Sequence, residues 1–154
     1  MVLANVITEA TVRIDVSDVD KWALIEDLVD LIVKSGKATD REALLTAVVE
    51  REQQGSTGLG QGIAIPHARA EGIDGVVGAL AISAGGIDFD SADGEPVHFV
   101  FLIVAPPNES TRYLKTLSAI TFIGKSESKT SRLLSASTPG EVVSILEENG
   151  ETSL

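Results

Sequence analysis

"GLGQGIAIPHARA", residues 58–70, sets three alternating glycines ahead of an apolar Ile63-Ala64-Ile65, followed by Pro66 and His67. The segment before it, "TDREALLTAVVEREQQG", predicts a helix. Thr39 and Glu42 form a capping box, Leu44, Ala47 and Val48 make the inner face, and Gly55 closes the end. The order is therefore helix, glycine loop, strand. A dinucleotide fingerprint needs the reverse, with a strand entering the glycines and a helix leaving them. No Gly-Lys-Ser/Thr follows, so it is not a Walker loop, and no Gly-x-Ser-x-Gly elbow occurs. The glycines lead into a strand of an α/β sheet, with His67 at its end.

Period-2 alternation of Val12, Ile14 and Val16 predicts a strand over 12–16. A helix then runs to about Lys34, with Ser17 as cap, Trp22, Ile25, Val29 and Ile32 inward, and Gly36 ending it. Residues 75–83 and 97–104 read as further strands, the second a buried one, with a turn at Asp93-Gly94 between them. Asn108 is the expected cap of a helix to Gly124. Thr138, Pro139 and Glu141 start a last helix reaching Glu148, and "NGETSL" (149–154) reads as a frayed tail. Interleaved strands and helices without a repeat predict a single α/β domain over 1–154, a mixed β-sheet flanked by helices.

A length of 154 residues is enough for one real core, and 44% hydrophobic residues argue against disorder. The net charge of −11 disfavours nucleic acid or an anionic lipid surface as partner and favours a partner with a basic face. No cysteine is present, which excludes disulfides and thiolate chemistry. Two histidines offer no recognisable zinc spacing, so no metal and no cofactor are expected. No apolar run nears the roughly 20 residues of a membrane span and the first residues lack a basic signal start, so the expected location is cytoplasmic.

An imidazole of ordinary pKa near 6.5 is a competent nucleophile at neutral pH and can carry a group covalently. Pro66 restrains the backbone before it, glycines let amides approach an anion, and Arg51 offers a planar guanidinium sixteen residues upstream. Such parts suit phosphoryl transfer, where catalysis is positioning and charge neutralisation. A turn histidine, with glycines that merely let two elements pack, is the competing reading; these residues alone leave both open.

Arg51-Glu52, Gly55-Ser56-Thr57-Gly58-Leu59-Gly60 and Gly62-Ile63-Ala64-Ile65-Pro66-His67 together closely resemble the signature of enzyme IIA domains of the bacterial phosphoenolpyruvate-dependent sugar phosphotransferase system, in the fructose/mannitol and nitrogen-regulatory class. The resemblance extends through "GEPVHFVFLIVAPP" and "YLKTLSAI". It implies a phosphocarrier in which His67 is phosphorylated on Nε2, Arg51 is the phosphate-side cation, and Thr57, Gly58 and Gly60 line the pocket. The implied donor is phospho-HPr or a nitrogen-branch paralogue. The acceptor is a IIB domain or a regulatory protein. The lack of IIB- or IIC-like sequence in the chain leans toward a regulatory member. Glu52 matches a helix-end pair and equally reads as a solvated surface carboxylate.

At Tyr113 many members of that family carry a second active-site histidine. A phenol there can donate one hydrogen bond but stays neutral, and neighbouring Arg112 is a candidate for the missing charge. The alternative implied is an unphosphorylated regulatory binding module. His98, between Val97 and Phe99, reads as structural.

Overall fold

The computed structural model describes Leu3 and residues 5–148. Its elements run β1 (Val12–Arg13), α1 (Lys21–Lys34), α2 (Arg41–Gln54), β2 (Gly58–Gly60), β3 (Ile63–Ala64), β4 (His67–Arg69), β5 (Val77–Ile87), β6 (Val97–Ala105), α3 (Ser110–Gly124), α4 (Glu127–Ser135) and α5 (Pro139–Glu147). A short 3₁₀ turn, Glu9–Thr11, precedes β1. The strands form one mixed sheet in the order β1-β5-β6-β3-β2, with β4 also pairing β6. β5 and β6 are antiparallel; β3 and β4 lie parallel to β6.

β6 shows how the layers arise. Val100, Leu102 and Val104 enter one core with α1 and α2, while Phe99, Phe101 and Ile103 enter a second with α3, α4 and α5. Successive side chains alternate across a strand, so a strand covered on both faces reads as one apolar run. The result is a single α/β domain with a mixed sheet between two helical layers, as the sequence predicts.

Helix starts differ from expectation. Asp15 and Asp18 take left-handed φ of 58° and 56°, which ends β1 at Arg13 and delays α1. Asp20, not Ser17, caps α1, accepting from the Ala23 amide at 2.8 Å. The shift turns Trp22 outward, 43% exposed, and gives the first inward position to Lys21. Asp40 caps α2 in place of Thr39, whose hydroxyl donates to the Gly72 carbonyl, and Glu42 pairs with Arg41. Glu109 occupies the α3 cap position without a side-chain bond, so Asn108 is no cap. Thr138 caps α5 as expected, but Glu141 reaches the Ser137 amide rather than that of Thr138. α4 has no counterpart in the sequence reading because Leu133 is its only buried residue and forms no stripe. The expected frayed tail, 149–154, lies outside the described residues.

Candidate active site

His67 opens β4 and pairs with Ile103 of β6, while the Pro66 carbonyl accepts from the Ile103 amide at 3.0 Å. Ala68 belongs to the α1–α2 core. Strand alternation therefore turns His67 and Arg69 to the other face, beneath α3. His67 Nδ1 lies 2.7 Å from the Ile65 carbonyl. A carbonyl can only accept, so Nδ1 is the donor, and in the neutral tautomer this selects the lone pair is on Nε2. The ring is half-buried, held at Nδ1, with no hydrogen-bond partner for Nε2 among the described residues.

Tyr113, in the first turn of α3, meets the imidazole edge-on with ring centroids 6.1 Å apart. It is buried, and burial pushes its hydroxyl pKa up to about 12, while the positive charges of Arg69 and Arg51 pull it down. The phenol is therefore neutral at physiological pH. Arg69 places Cζ 5.5 Å from the Tyr113 ring centroid and donates from Nη1 to Ser110 Oγ at 2.7 Å. Arg51, in the last turn of α2, donates from Nη1 to the Gly55 carbonyl at 2.9 Å. One guanidinium, that of Arg69, thus lies against the phenol beside His67, and Arg51 acts on the phenol through its charge.

The other residues singled out in the sequence take different places. Thr57 is buried; its amide and hydroxyl donate to Glu52 at 2.9 and 2.6 Å, and its carbonyl accepts from the Ile65 amide at 3.1 Å. It braces the residue that holds His67. Gly58 donates to Ser56 Oγ and packs so closely on Ser91 that a Cβ would overlap it. Gly60, at φ +94°, needs glycine for its turn, and the next amide, Gln61, donates to the Asp93 carboxylate. That amide already holds an anion of this chain. Gly58 and Gly60 therefore face the 88–95 loop. Arg112 is exposed, beside Thr111 and Lys115.

Glu52 is no solvated carboxylate. It is 2% exposed and pairs with Lys21 Nζ at 2.9 Å. Lys21 also donates to the Phe89 carbonyl and sits 4.9 and 5.0 Å from the rings of Phe89 and Trp22. His98 engages the Ser83 carbonyl through Nδ1 at 2.9 Å, within the sheet as expected. Arg69 and Ser110 escaped the sequence reading. The signal for Arg69 was its i+2 spacing from His67 on a strand, which places both on one face.

No helix among the described residues is long and apolar enough to cross a membrane. A family model described as the phosphoenolpyruvate-dependent sugar phosphotransferase system, EIIA 2, matches residues 5–149. The fructose-specific EIIA component of the phosphotransferase system in Haloferax volcanii is 39% identical over 128 residues, 83% of each chain. The fructose-specific EIIABC component of Bacillus subtilis is 32% identical over 149 residues; these are 97% of this chain but only 24% of that protein. The nitrogen regulatory protein IIA-Ntr from Neisseria meningitidis superposes with a TM-score of 0.86 at 29% identity, covering 95% of this chain and 99% of that one. The chain belongs to the EIIA 2 family of the phosphoenolpyruvate-dependent sugar phosphotransferase system.

Proposed function

We propose that the chain is a phosphocarrier whose His67 accepts and passes on a phosphoryl group through a phosphohistidine intermediate. The observation that carries this reading is the setting of one ring: His67 has Nδ1 on the Ile65 carbonyl, no Nε2 partner among the described residues, and Tyr113 against it with Arg69 stacked on that phenol. The Nε2 lone pair forms the new N–P bond as the donor's P–N bond breaks, and that electron pair returns to the donor nitrogen. His67 keeps its Nδ1 proton, so the positive charge developing on its ring meets the Ile65 carbonyl. Arg51 neutralises phosphoryl oxygens and the neutral Tyr113 hydroxyl donates one hydrogen bond to them. Thr57 supports the site indirectly by bracing Ile65, and Gly58 and Gly60 pack against the 88–95 loop.

The donor is phospho-HPr or a nitrogen-branch paralogue, and the acceptor is a IIB domain or a regulatory protein. The chain acts as one EIIA unit over 1–154, in the cytoplasm. The second reading, an unphosphorylated regulatory binding module, is favoured by one feature: Tyr113 is part of the α3-side core. Incubation with phosphoenolpyruvate, enzyme I and HPr separates the two. The phosphocarrier reading expects label that is lost in acid, survives alkali and is abolished by His67→Ala but not by His98→Ala. Label persisting in His67→Ala, or none in the wild type, contradicts it.

A further inference from the structure

Acidic residues outnumber basic ones in this chain by 23 to 12, so most arginines should find a carboxylate. Arg13, Arg41 and Arg132 do, pairing with Asp27, with Glu26, Asp30 and Glu42, and with Glu148. Among the described residues Arg51, Arg69 and Arg112 pair with none, and of these three Arg69 alone lies on the strand of His67, two residues along and on the same face. Arg69 is nonetheless held in place, by Ser110 Oγ at 2.7 Å and by the Tyr113 ring at 5.5 Å. Anchoring a long exposed side chain against its own rotamer entropy, with no ion pair to a carboxylate among the described residues, leaves a positive charge waiting for an anion. Strand geometry brings it close: two residues along β4 span about 6.5–7 Å, on one face.

We propose that Arg69 is a second catalytic cation of the phosphoryl site, donating from Nε or Nη2 to the phosphoryl oxygens while Nη1 stays on Ser110. The inference rests on the assignment of His67 as the phosphorylated residue. It gives the site a permanent charge that the neutral Tyr113 cannot supply, and takes that role from Arg112, which projects outward.

Phosphoramidate, a small P–N donor, isolates the chemistry from protein docking. His67 Nε2 attacks its phosphorus, the P–N bond breaks, and the electron pair leaves with ammonia. Labelling of wild type, Arg69→Gln, Arg69→Lys and Ser110→Ala is followed by ³¹P NMR, with circular dichroism melts as the check on folding. Arg69→Gln should slow labelling by about tenfold to a hundredfold, as expected for losing a hydrogen bond to a charged group, without a matching fall in Tm. Arg69→Lys should recover part of the rate, because an ammonium keeps the charge but not the fork. Ser110→Ala, which loosens the anchor and keeps the charge, should lose less than Arg69→Gln. Wild-type rates in Arg69→Gln, or a loss explained by unfolding, overturn the role of Arg69 and leave His67 standing. A wild type labelled by neither phosphoramidate nor phospho-HPr overturns the phosphocarrier reading and this inference with it.

Discussion

Burial in the α3-side core raises the Tyr113 hydroxyl to a pKa of about 12, with Arg69 and Arg51 pulling against it. The unfolded chain releases that proton near 10.0, the folded chain only near 12. Proton loss therefore favours unfolding above pH 10, and the stability Tyr113 contributes is complete below 10 and lost as pH rises through 12. Tyr113 is the only tyrosine. Phenolate absorbance in the native protein should then titrate about two units above that of the denatured chain; coincident midpoints would place the hydroxyl in open water. Tyr113→His should speed phosphoryl transfer by roughly fivefold below about pH 6.5, where imidazole is charged and makes the stronger hydrogen bond. A flat comparison across pH would remove residue 113 from the phosphoryl contacts.

The helices and strands meet the site through one buried ion pair. Lys21 at the start of α1 holds Glu52 near the end of α2, Glu52 holds Thr57, and Thr57 holds Ile65, whose carbonyl orients His67. Removing one member of a buried pair strands the other charge. Lys21→Ala should cost about 3–5 kcal/mol and lower Tm by roughly 6–20 °C. The double variant Lys21→Met/Glu52→Gln should recover part of that loss. A thermal melt of Lys21→Ala within about 1 kcal/mol of wild type would show that the pair bears no structural load. This chain of contacts was not legible in the sequence. Lys21 and Glu52 are thirty-one residues apart, and a charge at the surface has the same letter as a charge in the core. The buried strand β6 was legible from its apolar run, as was the Thr138-Pro139 start of α5 from its turn chemistry, because both signals act locally. The caps of α1 and α2 were misplaced by three residues and one, since several Ser, Thr and Asp candidates stood side by side; at α1 the left-handed Asp15 and Asp18 delayed the start to Asp20.

Across the whole molecule the charge is uneven. The net −11 coexists with Arg69 on the strand of His67 and with α3, where Arg112, Lys115 and no acidic residue fall within Ser110–Gly124. The long-range field attracts a basic donor, and the local cations receive its phosphoryl group. Association with phospho-HPr should slow as salt rises, since screening acts over about 8 Å at physiological ionic strength. An association rate that climbs with salt would mean the cationic face governs encounter. The phosphoryl group is carried by a single atom, and ³¹P–¹⁵N coupling in histidine-labelled protein, phosphorylated through enzyme I and HPr, identifies it. The expected result is one phosphohistidine, at His67, with phosphorus on Nε2 and the proton still on Nδ1. Phosphorus on Nδ1 of His67, or on His98, would contradict it.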